Sequence, residues 1–237
     1  GTIQPIRQVA QLVQKIRDER RRAGNPLPLY LHTDACQAAN YLDLQVARLG
    51  VDLMTLNGGK IYGPKQSGVL YVSSRVQLSP VIRGGGQERG YRSGTENVAA
   101  CVGFATALQS AQSRRHDESR RLGDLQALAF RLITEKMPQA VINGSRKHRL
   151  PNNMHLTLPG RDNERLLVEL DERGILAAAG SACSAGDDEP SHVLRAMGVS
   201  DADAQASIRL TMGRQTTDAD VRALVDALAV LSTGPAR

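Results

Sequence analysis

The chain holds 237 residues, 41% of them hydrophobic, which is enough to bury a core in one large or two ordinary domains. The net charge of +6 comes from dispersed basic residues, and the clusters "RDERRR" and "SRRHDESRR" also carry acids. With only 3% aromatics, base-stacking platforms are scarce, so solvated helix faces are expected rather than a nucleic-acid groove.

No apolar run approaches the roughly 20 residues that cross a bilayer, and no charged start precedes an apolar h-region. The expectation is a soluble, globular, cytoplasmic chain. Three cysteines, Cys36, Cys101 and Cys183, cannot pair evenly and lack C-x-x-C spacing, so free thiols in a reduced compartment are expected. The opening "GTIQPI" has no methionine and runs at once into a helical pattern, as though the sequence begins inside a domain.

In "IQPIRQVAQLVQKIRDERRRAG" the residues Ile6, Val9, Ala10, Leu12, Val13 and Ile16 recur at helical spacing, and Gly24 supplies a stop. "PLYLHTDA" reads as a strand, "DLQVARLG" as a brief helix and "VDLMTL" as a second strand. That alternation points to a parallel sheet. "GVLYV" is a further strand after a turn marked by Gly63, Pro64 and Gly68.

The glycine-rich, charged stretch "RGGGQERGYRSGTENVAA" then leads into a long helix expected to reach residue 136. Downstream, "AVINGS", "NMHLTL", "ILAAAG" and "SIRLTM" read as strands, and "NERLLVELDERG", a short stretch after Pro190 and "DADVRALVDALAVL" as helices. Their irregular alternation predicts a small α+β domain with an antiparallel sheet, with the change of domain near residue 95.

Ligands of open α/β sheets bind beyond the carboxyl ends of the strands. Two predicted strands deliver polar residues there: "YLHTDACQ" brings Asp34 and Gln37, and "DLMTLNGGK" brings Lys60. Pyridoxal phosphate needs a lysine amine for its carbonyl and a carboxylate for its ring nitrogen, and this pair supplies both. The plainer reading is an aspartate that caps a helix or forms a turn, beside a solvated lysine.

Cys183 sits among small residues in "AAAGSACSAGDDEPSHVLRAMG", which suits a nucleophile on a movable loop; a buried structural cysteine is the alternative. Arg209, inside the apolar "SIRLTM", either pairs with an internal acid or offers its fork to a carboxylate ligand. "RGGGQERGYRSGT" could cradle a phosphate through its backbone N–H groups with Arg92, Ser93 and Thr95. It has no nucleotide-binding spacing, and a domain connector is the alternative. His116, His148, His155 and His192 read as surface or capping residues, and His32 as a core histidine.

Six motifs, "HTDACQ", "GGKIYGPKQSGVLYV", "GGGQERGYRSGT", "PNNMHLTLPG", "GSACSAGDDEPSHVLRAMG" and "IRLTMGRQTT", occur in the order and spacing of the cysteine desulfurases of iron-sulfur cluster assembly. The chain resembles that family, pyridoxal-phosphate enzymes of the class V aminotransferase superfamily, over essentially its whole length. The resemblance implies fold type I. The expected organisation is residues 1–95 as part of the cofactor-binding large α/β domain and 96–237 as a small α+β domain carrying the cysteine loop. It also implies that the N-terminal part of the large domain, with a ring-stacking histidine and further phosphate donors, lies outside these 237 residues. The piece alone is therefore expected to bind cofactor poorly and turn over little.

By the same resemblance, Lys60 is the Schiff-base lysine, Asp34 the partner of the pyridinium nitrogen and Gln37 the donor to the phenolic oxygen. Thr95 reaches the phosphate of the other subunit of a homodimer, and Arg209 clamps the substrate carboxylate. Cys183 attacks the sulfur of L-cysteine, leaving alanine and an enzyme persulfide; the persulfide is also the expected transient ligand to an iron-sulfur cluster. Sulfur then passes to a scaffold or other acceptor protein.

The family usually carries Ser-Gly-His before the lysine, whereas this chain has Asn57, Gly58 and Gly59. Asn57 keeps an amide donor for the phosphate, and Gly59 is expected to offer its backbone N–H. A lost hydrogen bond to a charged group costs roughly 1.5 to 3 kcal/mol. Two other readings stand beside the desulfurase: a selenocysteine lyase on the same scaffold, and a non-catalytic remnant with an incomplete pocket.

Overall fold

The computed structural model describes residues 1–180 and 189–233. The chain packs as two units, one of Gln4–His116 and one of Gly1–Ile3 with Asp117–Arg237. This division falls inside the long helix α3 (Val98–Lys136), beyond the change of composition near residue 95. The helix runs unbroken, and its successive turns join different cores. Phe104 and Ala111 belong to a cluster in the first unit, while Gln126 bonds the carbonyls of Leu150 and Asn153 in the second. Among the described residues no helix is long and apolar enough to cross a membrane.

In the Gln4–His116 unit, α1 (Ile6–Arg22) ends on Arg20, Arg21 and Arg22, cations that suit the carbonyl end of a helix. Strands β1 (His32–Asp34), β2 (Leu53–Asn57) and β3 (Gly68–Val72) form a sheet in that order, with the short helix α2 (Val46–Leu49) between β1 and β2. β1 runs parallel to β2, with Asp34 opposite Thr55. The expected all-parallel sheet is corrected at β3, which is antiparallel to β2. The loop between Asn57 and Gly68, residues 58–67, is shorter than the crossover of a dozen or more residues that a parallel return needs.

Strand alternation sends Met54 and Leu56 into a core with Ala35, Ala39, Val51, Ile61, Phe104 and Ala111. His32, Asp34, Thr55 and Asn57 therefore share the opposite face. His32 is exposed there, its Nε2 2.8 Å from Thr55 Oγ1, which corrects the expectation of a core histidine.

The other unit carries the expected antiparallel sheet: β4 (Val141–Ile142), β5 (Asn153–Thr157) and β6 (Ser207–Thr211), in that order. Its core contains the fully buried Met154, Leu156, Leu170, Ile208, Val225 and Leu228. Helix α4 (Asn163–Asp171) starts on an Asp162 cap, and α7 (Asp218–Ser232) on a capping box of Thr217 and Asp220. Between them lie α5 (His192–Ala196) and α6 (Asp201–Gln205), the second of which sequence periodicity did not reveal.

"ILAAAG" forms no strand: Ala178 alone bridges to Arg209. An alanine run offers few side chains to pack on a pleated surface.

Candidate active site

The carboxyl ends of the parallel strands β1 and β2 lie at one edge of the sheet. β1 ends on Asp34, whose Oδ1 accepts the Cys36 N–H at 2.9 Å. The thiol and the N–H of Cys36, in that order, hold the Asp34 carboxyl below the ordinary carboxylate value; the nearby His32 adds to this and burial opposes it. Asp34 is exposed, and among the described residues it makes no ion pair. Among the described residues it is thus an ionised carboxylate with no ion-pair partner. Gln37 follows in the same turn, also exposed. Burial, reinforced by the neighbouring Asp34, pushes the Cys36 thiol up to about 11, so it stays protonated and is a poor nucleophile near neutrality.

β2 ends on Asn57 and passes into one turn of 3-10 helix, Gly58–Lys60. The Asn57 side chain caps this turn, its Oδ1 accepting the Gly59 N–H at 2.8 Å. This corrects the expectation that the Gly59 N–H faces a phosphate, because that donor is already used. The Asn57 amide N–H₂ is the polar end left over. Gly58 is buried, and a Cβ on it would fall 2.0 Å from Ser67 Oγ, so the turn before the lysine accepts no side chain there. Lys60 is exposed and forms no ion pair among the described residues. Its positive charge weakly opposes the rise of the Cys36 thiol.

Thr95 is exposed in the loop ahead of α3. That loop closes on itself: Gly94 N–H donates to Gln87 Oε1 at 3.0 Å and Arg92 Nη1 to the Ser93 carbonyl at 2.7 Å.

In the other unit, Arg209 sits on β6 opposite His155 of β5. No carboxylate pairs with it among the described residues. Its backbone N–H and C=O bond Ala178 at 2.6 and 3.1 Å, tying down the segment that leads towards Cys183. Cys183 itself lies outside the described residues, and so does its expected role as a cluster ligand; no group that could hold a metal occurs among the described residues.

His155 is not the surface residue expected. It is partly buried, accepts the Asn143 amide at 3.0 Å on Nδ1, and titrates at about 4 because of burial first, then the charges of the Gly1 amino group, Arg149 and Arg209. His116, His148 and His192 are exposed.

Two functional features escaped the sequence reading. Asn40 donates its amide to the Lys60 carbonyl at 2.7 Å from a turn far away in the chain. Asp52, fully buried just before β2, takes ion pairs from Arg17 and Arg75 and the Leu31 N–H at 2.7 Å. An acid inside the apolar run "VDLMTL" was the signal for the second; nothing in "QAANYL" marked the first.

Residues 1–224 match the family model described as aminotransferase class-V. The chain belongs to the class-V aminotransferase family. Among curated proteins, this class-V chain is 36% identical over 230 residues to the cysteine desulfurase IscS of Clostridium botulinum, covering 96% of the chain and 55% of that protein. It is 38% identical over 230 residues to cysteine desulfurase IscS 1 of Archaeoglobus fulgidus, covering 96% and 56%. The chain thus spans about half the length of the curated relatives it matches. Among solved structures it is similar to a NifS-like protein from Rickettsia africae, with a TM-score of 0.85, 29% identity and coverage of 98% and 58%. It is also similar to SspA in complex with cysteine, with a TM-score of 0.64, 30% identity and coverage of 90% and 55%.

Proposed function

We propose that the protein to which this chain belongs is a cysteine desulfurase. The observation that carries this reading is an ionised Asp34 and a Lys60 with no acid partner among the described residues, at neighbouring carboxyl ends of parallel strands. Similarity to cysteine desulfurases along nearly the whole chain, and to a structure solved with cysteine, supports it.

The donor set fits pyridoxal phosphate. The exposed Lys60 amine suits its carbonyl, the carboxylate of Asp34 suits a protonated ring nitrogen, and the exposed amides of Gln37 and Asn57 suit the phenolic oxygen and the phosphate. When bound, that cofactor supplies an electron-accepting ring that makes the substrate's bonds labile.

The chain's own groups do the rest. Asp34, held ionised, would keep a proton on the ring nitrogen of the bound cofactor. Asn57, its oxygen already occupied by the Gly59 N–H, would give its N–H₂ to the phosphate. Arg209, which pairs with no acid among the described residues, would offer two parallel N–H donors to the substrate carboxylate. Cys183 attacks the substrate sulfur as thiolate: the Cβ–S bond breaks, an S–S bond forms, Cβ takes a proton and L-alanine leaves a Cys183 persulfide. A homodimer in which Thr95 reaches the partner's phosphate, transfer of the persulfide sulfur to an iron-sulfur scaffold or another acceptor, and a cytoplasmic setting complete the proposal.

The test is alanine release from L-cysteine by the full-length protein, with dithiothreitol added to reduce the Cys183 persulfide and free its outer sulfur as sulfide, beside its Cys183→Ala variant. Equimolar alanine and sulfide from the parent and neither from the variant is the expected result. Activity of the variant on selenocysteine but not cysteine would move the assignment to a selenocysteine lyase. No product from the parent in the presence of cofactor would overturn it.

A further inference from the structure

The Gly58–Lys60 turn is held from both ends by asparagine side chains. Asn57 Oδ1 caps its start through the Gly59 N–H at 2.8 Å, and Asn40 Nδ2 grips the Lys60 carbonyl at its end at 2.7 Å. The second contact is the more telling. Asn40 is only 8% exposed, and its Oδ1 is a buried acceptor with no partner. Burying an acceptor without a partner among the described residues costs free energy, which the bond made by the other end of the amide offsets.

The neighbours of both partners are buried. Ala39 and Ile61, each 1% exposed, flank Asn40 and Lys60 in one apolar cluster. Gly58 N–H donates to the Ser67 carbonyl at 2.8 Å, and the Ile61 and Gly63 N–H groups return to the Gly58 carbonyl at 3.1 and 2.9 Å. Two glycines in succession would otherwise leave the backbone ahead of the lysine with wide freedom.

We propose that Asn40 is a positioning residue for Lys60: its amide locks the lysine's carbonyl to the turn after β1, the turn that also presents Asp34 and Gln37. The two halves of the site, one on each strand end, are thereby held in fixed register by a side chain that touches neither substrate nor cofactor. The inference rests on Lys60 as the cofactor anchor, and goes beyond it in naming what holds the anchor still.

The experiment uses Asn40→Leu, which removes both polar ends at similar volume, and Asn40→Ala, in the full-length protein. Three quantities are read: hydrogen exchange of the 58–63 amides without cofactor, the rate of pyridoxal phosphate incorporation into the Lys60 peptide after borohydride reduction, and Tm. Both variants are expected to exchange about three- to tenfold faster over 58–63 and to label Lys60 about three- to tenfold more slowly, the worth of one hydrogen bond. Asn40→Leu is expected to do so without a lower Tm, because the orphaned acceptor is gone. Unchanged exchange and labelling, whether or not Tm falls, would overturn the proposal and leave Asn40 a packing residue. A parent that never labels at Lys60 would sink the cofactor reading instead, and the exchange arm would still decide whether Asn40 holds the turn.

Discussion

The two ends of the parallel β1–β2 pair carry aspartates handled in opposite ways. At the amino end Asp52 is fully buried and saturated: Arg17 and Arg75 pair with its two oxygens, and the Leu31 N–H adds a third bond. Burial works against its charge, but the backbone donor and the two guanidiniums outweigh it and hold the carboxyl below the usual carboxylate value. At the carboxyl end, Asp34 on the neighbouring strand is exposed and held ionised by the thiol and N–H of Cys36, while Lys60 has no acid partner. A charge neutralised inside the fold is used up in structure. A charge kept ionised by a neutral donor remains available to something from outside.

That contrast predicts that substitutions at the two ends separate activity from stability. Lys60→Ala is expected to cost at least about a thousandfold in sulfide release while leaving Tm in place, as removal of a group that acts only in the chemistry does. A variant with near-normal turnover would break the comparison at once. Asp52→Ala should do the reverse, destabilising by roughly 3 kcal/mol because Arg17 is left largely buried without its partner, the half-exposed Arg75 suffering less. Urea unfolding measures it, and a loss below about 1 kcal/mol would show that the pair is dispensable. The Asp52 contribution is complete above the usual 3.8 and disappears as pH falls through the lower folded value.

The second unit sharpens the rule with a base. His155 titrates at about 4 rather than 6.5, so between those values the unfolded chain binds a proton that the folded one does not. Its contribution is therefore complete above pH 6.5 and is lost as pH falls towards 4, by roughly 3 kcal/mol at most. His155→Gln should flatten the stability profile over that window; an unchanged slope would reassign the window to other groups.

The smallest effect is expected at Gly59. A Cβ there meets only Asn57 Oδ1 at 3.2 Å, and the exposed asparagine can give way. Gly59→His should shift stability by no more than about 0.5 kcal/mol and tighten cofactor retention by up to about tenfold through a new phosphate donor. Weaker retention would mean that the Asn57 cap, disturbed by the new side chain, matters more than the added imidazole.

Much of this molecule was legible in the residues. Periodicity placed α1, α3, α4 and α7, the strand "GVLYV" coincides with β3, and the ordered motifs singled out Asp34, Gln37, Lys60 and Arg209 as candidates. The misreadings share one cause. His32 and His155 are single residues of half-apolar segments, and their burial depends on which face the neighbouring chain covers. "ILAAAG" had the length of a strand but only one point of pairing. The Gly59 N–H looked free because its acceptor, Asn57 Oδ1, belongs to a cap that spacing alone does not reveal.

By itself the sequence determined most of the helical and extended segments and which chemical groups reach the ends of β1 and β2, since both follow largely from local propensity and residue type. Only the tertiary structure decided what each of those groups meets. The burial of Asp52 between two arginines and the grip of Asn40 on the Lys60 carbonyl both join residues distant in the chain. Such contacts depend on how separate segments are packed together, and no local pattern encodes them.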